Sequence, residues 1–179
     1  MSEIAFRRAA AADAAAVADL TRRAYAKWVA VIGREPLPMG FDHATAIRDD
    51  VVEVMELDGA IVGVTHLVVA ADRLLLENLA IDPAFAGRGL GRRMLAHAER
   101  LTRDLGRPRL ALYTNARFIA NLRFYAAAGY AVDREETFRG GTVVHMSRAV
   151  VAPSPTERQD LSHEVISTSA PSGARTTAS

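Results

Sequence analysis

The sequence has 179 residues, of which 50% are hydrophobic and 24% charged, a composition typical of a globular domain with a sizeable core. A net charge of +1 gives no reason to expect nucleic acid or a membrane as a partner, and the longest apolar stretch is too short to span a bilayer. The lack of cysteine excludes disulfides, thiolate metal sites and a cysteine nucleophile. We predict no metal cofactor and, because the charged N-terminal residues do not resemble a signal peptide, a cytoplasmic location.

The composition changes after Val151, where Ser, Thr, Ala and Pro replace the large apolar residues. A segment of this kind cannot bury enough apolar surface to offset the entropy lost on ordering. We therefore predict one folded domain over residues 1–150 and a disordered tail over residues 151–179.

Hydrophobic periodicity and turn signals in the first half predict, in chain order, a strand, two helices and three strands: residues 4–9, 13–33, 43–49, 51–57, 60–70 and 73–81. Asp13 and Asp42 precede the two helices and are predicted N-caps, because a short carboxylate can accept from the free N–H groups of a first turn. The dipeptide at Asp58 and Gly59 predicts a tight hairpin.

The second half predicts a helix, a strand, a helix and a final strand pair: residues 87–105, 109–114, 116–128, 130–138 and 142–150. The first of these helices has an apolar stripe formed by Leu90, Met94, Ala98, Leu101 and Leu105. A turn at Gly140 and Gly141 is predicted to join the last two strands. The whole order predicts a mixed-sheet α/β (α+β) domain with both sheet faces covered.

Residues 83–95, PAFAGRGLGRRML, follow a strand and open a helix, where main-chain N–H groups can converge on an anion. The third glycine of a dinucleotide fingerprint and the Gly-Lys-Ser/Thr of a P-loop are both missing. Gly87, Gly89 and Gly91 among three arginines suit a pyrophosphate. An ordinary tight turn with solvated arginines is the alternative, and the stretch alone does not decide between them.

Residues 77–95, ENLAIDPAFAGRGLGRRML, resemble the acyl-CoA-binding motif of the GCN5-related N-acetyltransferase (GNAT) superfamily. Gly89 and Gly91 match its last two glycine positions, whereas Ala86 stands where Gln or Arg is usual. Because the change at Ala86 removes a side chain but no main-chain donor, we expect pyrophosphate binding to survive.

Residues 112–130, LYTNARFIANLRFYAAAGY, resemble the second motif of this superfamily. Tyr125, Gly129 and Tyr130 match its signature, while Asn121 replaces the more usual alanine and Phe118 the more usual asparagine. The two motifs occur in the right order and spacing, and together they are much more specific than either alone.

The resemblance implies a single GNAT-like domain with a central, mixed, mostly antiparallel twisted sheet flanked by about four helices. It also implies transfer of an acetyl group from acetyl-CoA, the co-substrate, to a primary amine by direct attack in a ternary complex. The implied cofactor site comprises Leu79, Ala80, Ile81, Gly87, Arg88, Gly89, Leu90, Gly91, Arg92, Asn121 and Tyr125. The Leu79 N–H is the expected donor to the thioester oxygen.

Two residues are expected to carry the chemistry. The resemblance implies that Tyr125 protonates the leaving thiolate; without the motif, a core aromatic would be the simpler interpretation. Glu77 interrupts an apolar strand and shares a face with Leu79 if alternation is strict, which makes it the predicted general base. A structural carboxylate paired with Arg73 or Arg117 is the alternative, and His66 or a water relay could replace it.

The acceptor is expected between the first two helices and the final strands, near Tyr25, Trp28, Met39 and Phe41. Tyr25 and Trp28 also have the spacing of an ordinary core stripe. A small amine, an amino acid, an aminoglycoside-like drug and a protein N-terminus all stay open as acceptors, and so does a homodimer. A non-catalytic acyl-CoA sensor is the alternative function.

Overall fold

Seven strands form one sheet in the computed structural model, which describes residues 3–150. The strands are β1 (Ile4–Arg8), β2 (Val51–Leu57), β3 (Ala60–Val69), β4 (Leu74–Ile81), β5 (Arg109–Asn115), β6 (Ala131–Phe138) and β7 (Gly141–Ala149). The helices are α1 (Ala14–Ile32), α2 (His43–Asp49), α3 (Leu90–Asp104) and α4 (Ile119–Ala127). The tail predicted over residues 151–179 lies outside the described residues.

The strand order is β1-β2-β3-β4-β5-β7-β6, and every neighbouring pair is antiparallel except β4 with β5. The predicted mixed, mostly antiparallel sheet with four flanking helices is therefore confirmed. In the described part of the chain, no helix is both long and apolar enough to cross a membrane.

Left-handed backbone forms the tight turns of two hairpins, β2–β3 and β6–β7. Asp58 and Gly59 have φ of 51° and 82°, so the predicted turn between β2 and β3 is confirmed. The last hairpin turns one residue earlier than predicted, at Arg139 and Gly140, with φ of 49° and 75°. Gly141 is free to begin β7 because it lies outside that turn.

The two predicted caps differ in outcome. The Asp42 carboxylate accepts from the Thr45 N–H at 3.0 Å and caps α2 as expected. Asp13 precedes α1 but makes no capping bond to that helix. Its carboxylate instead accepts from the Ala10 N–H and the Arg7 guanidinium, both at 2.7 Å, which ties the end of β1 to the start of α1.

Apolar residues pack on both faces of the sheet. On one face α1 and α2 cover β2, β3 and the end of β4, and on the other α3 and α4 cover the centre of the sheet. Leu90, Met94 and Ala98 of the predicted α3 stripe are buried, and Leu101 is partly buried. Leu105 is 42% exposed because α3 ends at Asp104, so its assignment to the stripe was wrong.

A gap between β4 and β5 sets the position of the site. The two strands pair only where Leu74–Leu76 meets Leu110–Leu112, and beyond that they separate. On its other side β4 pairs Leu76 with Leu67 and Asn78 with His66, so Glu77 is an extra residue in the ladder. The gap therefore opens at the bulge that contains Glu77.

Candidate functional site

Two cavities meet where β4 and β5 separate. The first, called here the gap cavity, lies between β4 and β5 and is closed by residues from the end of α1 to Pro38. The second, called the glycine groove, runs between α1, the end of β4 and the start of α3. Tyr25, Leu79 and Asn121 line both, so a ligand in one cavity would touch the same residues as a ligand in the other.

Most of the predicted cofactor residues line the glycine groove: Leu79, Ala80, Ile81, Gly87, Gly89, Leu90, Gly91, Arg92 and Asn121. Two predicted members are placed elsewhere. Arg88 carries its guanidinium over the Phe85 ring, 5.0 Å from the centroid, and does not line the groove. Tyr125 lines the gap cavity instead.

The glycines shape the start of α3. Gly87 and Gly89 have φ of 76° and 73°, a left-handed conformation that other residues adopt only with strain. Gly89 is the N-cap residue and offers no side chain to the first turn, so the free N–H groups there are available to a ligand. This end of the groove is suited to an anion, both by its donors and by the helix dipole.

Asp82 anchors the loop that leads into these glycines. Its carboxylate accepts from the Ala84 N–H at 3.0 Å and from the Arg23 guanidinium at 2.6 Å. Burial by itself would raise the pKa of Asp82, but these donors and the charge of Arg23 hold that pKa below its usual range. The loop is thus fixed to α1, which forms the opposite wall of the groove.

Glu77 lies in the gap cavity, where its carboxylate accepts a hydrogen bond from the Tyr113 hydroxyl of β5. Leu76 and Leu79 both pack in the α3–α4 core, so the bulge interrupts the alternation that would place Glu77 on the face of Leu79. In the described residues Arg73 pairs with Asp72, and neither it nor Arg117 pairs with Glu77.

His66 occupies a different environment from Glu77. Its Nε2 lies 2.8 Å from an Asp50 carboxylate oxygen, and its ring meets Phe41 edge to face. It lines neither cavity. The structure therefore does not bring His66 together with the other candidate residues, because β3 directs it towards α2.

A partly buried tyrosine, Tyr25, lines both cavities, and a buried one, Tyr125, lies near it in the gap cavity. Tyr125 is 8% exposed, and burial raises the pKa of its hydroxyl, which keeps the proton in place for donation. Burial also raises the pKa of Tyr25, and a backbone hydrogen bond from Leu79 acts in the opposite direction. The Leu79 N–H thus faces the junction, where β5 no longer pairs with β4.

The predicted acceptor residues are only partly brought together. Tyr25 lines both cavities, whereas Trp28 lines the glycine groove and stacks on Phe118 with ring centroids 4.4 Å apart. Met39 and Phe41 line neither cavity, because the turn at Leu37–Gly40 directs Pro38 inward in their place.

The gap cavity contains residues that the sequence did not single out. Tyr113 and Arg34 are the most important of these, and Phe118 and Phe138 add apolar wall. Tyr113 could have been found because it lies on β5. That strand follows the helix of the glycine motif and pairs with β4. Arg34 carried no recognisable signal, because it lies in a Pro/Gly loop.

Comparisons with known proteins agree with this fold. Residues 48–132 match the family model described as "Acetyltransferase (GNAT) domain". No curated protein matches the sequence significantly.

Solved structures share the fold at low identity. PaiA N-acetyltransferase from Thermoplasma acidophilum, in complex with coenzyme A, has a TM-score of 0.71 at 19% identity, over 82% of this chain and 99% of that one. The ribosomal-protein-S18-alanine N-acetyltransferase from Escherichia coli has a TM-score of 0.70 at 19% identity, over 86% and 97%. The protein yncA from Salmonella typhimurium, solved with its cofactor acetyl-CoA, has a TM-score of 0.63 at 18% identity, over 86% and 99%.

Proposed function

We propose that the chain is an N-acetyltransferase of the GNAT family that moves an acetyl group from acetyl-CoA to a primary amine, a proposal supported by the match of residues 48–132 to a GNAT acetyltransferase domain and by the shared fold. The observation that carries the proposal is the meeting of the two cavities at Tyr25, Leu79 and Asn121. A donor in the glycine groove and an acceptor in the gap cavity would come into contact there. Such an arrangement supports direct attack in a ternary complex.

In the proposal, the glycine groove holds the CoA moiety. The pyrophosphate would bind the free N–H groups around Gly89 and Gly91, with Arg92 adding positive charge from within the groove. The pantetheine arm would follow β4 from Ile81 towards Leu79. This path leads the thioester to the end of the β4–β5 pairing, where main-chain groups of β4 have no partner on β5.

Each proposed catalytic residue performs one task. The amine nitrogen attacks the thioester carbon while the Glu77 carboxylate accepts the amine proton. The Leu79 N–H donates to the oxygen that gains charge, an interaction worth about 3 kcal/mol in other acyl-transfer sites. When the carbon–sulfur bond breaks, the hydroxyl of Tyr125, which lines the gap cavity near Tyr25, protonates the departing thiolate.

Ligand-dependent unfolding and thiol release test the proposal. Acetyl-CoA at about 100 times its Kd should stabilise the protein by about 2.7 kcal/mol, while ATP and NADH as controls should shift the melting temperature far less. Release of free CoA should then depend on added amine. Stabilisation without amine-dependent release would instead favour a sensor, and no stabilisation at millimolar acetyl-CoA would contradict both functions.

A further inference from the structure

The gap cavity carries one charge of each sign. Among its lining residues within the described structure, Arg34 and Glu77 are the only charged side chains. The apolar wall around them is formed by Ile32, Leu37, Pro38, Phe118, Phe138 and Val143. The cavity has a volume of about 70 Å³, space for a few water-sized groups, and it is open to solvent at its mouth, so only a small ligand fits it.

Neither charge is neutralised by another residue of the described chain. Arg34 is half-buried, and its one hydrogen bond is a long one of 3.4 Å to the Glu35 carbonyl. Glu77 is half-buried and accepts only from the neutral Tyr113 hydroxyl. Neither residue takes part in an ion pair among residues 3–150.

Partly buried charges without partners are unfavourable, because removal from water is not offset by an opposite charge. An acceptor that carries only an amine would compensate Glu77 and leave Arg34 alone. A small molecule with an amine and a carboxylate would compensate both, since a guanidinium binds a carboxylate through parallel N–H donors. The apolar wall would contact a hydrocarbon side chain attached beside these two groups.

From these observations we propose that the acceptor is a small amino acid with an apolar side chain, whose amine approaches Glu77 and whose carboxylate binds Arg34. This inference rests on the proposed function. It narrows the class of primary amines to those that carry an anionic group on the same small molecule. A protein N-terminus does not meet that requirement, because its carboxylate is at the far end of another chain.

A matched series of acceptors tests the proposal. Leucine, leucinamide and 3-methylbutylamine share one hydrocarbon body and differ in the group that would meet Arg34. Amine-dependent CoA release should give a kcat/KM for leucine at least about tenfold above that for leucinamide, and 3-methylbutylamine, which also lacks the carboxylate, should be no better than leucinamide. The amine of leucinamide is less basic than that of leucine, so a larger fraction of it is unprotonated. Ionisation of the amine would therefore favour leucinamide and cannot produce a preference for leucine.

Two variants of Arg34 separate recognition from folding. Arg34→Gln should reduce the ratio of leucine to leucinamide to near one, and Arg34→Glu should invert it. Arg22→Gln, which removes an exposed charge from α1 away from both cavities, is the control and should keep the wild-type ratio. If Arg34 serves only the C-terminal end of α1, Arg34→Gln will lower the melting temperature and leave the ratio unchanged, which overturns the inference.

Binding without turnover provides the second readout. Titration of CoA-saturated protein with leucine and leucinamide should show tighter binding of leucine, and Arg34→Gln should remove the difference. Equal rates and equal binding for the two compounds would overturn the inference while leaving the N-acetyltransferase proposal intact. If no amine of any kind increases CoA release, the proposed function fails and the inference fails with it.

Discussion

The Tyr113 hydroxyl donates a hydrogen bond to the Glu77 carboxylate across the gap between β5 and β4. This bond joins the two strands just beyond the last residues at which their main chains pair, Leu76 and Leu112. It fixes the carboxylate of Glu77, the one carboxylate that residues 3–150 place in the gap cavity, at the bulge of β4. Tyr113 is therefore a positioning residue for the proposed base.

We expect Glu77→Gln to lower kcat by about a hundredfold, in the range usual for loss of a general base. Tyr113→Phe should lower it less, by a factor of about ten at most, because the carboxylate is kept and only one hydrogen bond is lost. The double variant should be no slower than Glu77→Gln alone, since both substitutions act through one carboxylate. Additive losses in this double-mutant cycle, measured by steady-state CoA release, would contradict the assignment of Tyr113.

Tyr125→Phe should lower kcat by about a hundredfold while the Kd of acetyl-CoA changes little, because only the proton donor is removed. Tyr130→Phe is the control: it removes a hydroxyl that bonds Glu99 outside both cavities, and kcat should stay near wild type. Burial raises the pKa of Tyr125, so its hydroxyl stays protonated through neutral and moderately alkaline pH. A tyrosine with an ordinary pKa of about 10 begins to lose its proton between about pH 8 and pH 10. A fall in the kcat of the wild type over that range would therefore argue against this role.

Gly91→Ala should affect stability and cofactor binding in opposite directions. A Cβ at Gly91 would meet the Phe124 ring at 3.6 Å, an ordinary contact, and alanine in a helix is favoured over glycine by about 0.5–1 kcal/mol. The free energy of unfolding should therefore be unchanged or slightly higher. The same methyl would intrude on the glycine groove, so the Kd of acetyl-CoA should rise.

Gly89→Ala is the matched comparison for that experiment. Its Cβ would meet nothing within 4 Å, but the φ of 73° makes any side chain strained, at roughly 1–2 kcal/mol. We expect urea unfolding to show this loss in Gly89→Ala and not in Gly91→Ala. Equal destabilisation of the two variants would show that Gly91 is needed for the fold instead of the groove.

Asp82→Ala should lower the free energy of unfolding by about 1–3 kcal/mol, because it leaves the Ala84 N–H and the Arg23 guanidinium without their acceptor. Asp19→Ala removes the other, 67% exposed partner of Arg23 and should change stability by less than about 1 kcal/mol. The folded pKa of Asp82 is below its unfolded value, so its contribution is complete above the unfolded pKa of about 3.9 and is lost as the pH falls further. The difference in the free energy of unfolding between wild type and Asp82→Ala, measured by urea unfolding, should therefore be smaller at pH 3 than at higher pH.

The parts of this fold that depend on local signals could be predicted from the sequence. Periodicity, the turn at Asp58 and Gly59 and the cap at Asp42 depend on neighbouring residues, and each gave the correct element. The glycines at the start of α3 belong to this group as well. Their spacing predicts a tight turn at the start of a helix, and Gly87 and Gly89 do adopt left-handed backbone there.

The parts that depend on distant contacts could not be predicted in the same way. The bulge at Glu77 is fixed by the register between β4 and β3, and strict alternation is the only expectation that a single strand provides. Asp82 was recognisable as the end of a strand, but its partner Arg23 is 59 residues away in the chain. Arg34 reaches the site because of the path that its loop follows. A loop has no hydrophobic periodicity from which that path could be predicted.

The sharing of Tyr25, Leu79 and Asn121 between the two cavities has a thermodynamic consequence. Any rearrangement of these side chains by a molecule in one cavity alters the free energy of occupying the other. By linkage the two effects are equal in magnitude, so an acceptor that tightens CoA binding by some factor is itself bound more tightly by the same factor when CoA is present. Coupling between occupants of the two cavities would therefore arise from these three shared residues, without a separate regulatory element.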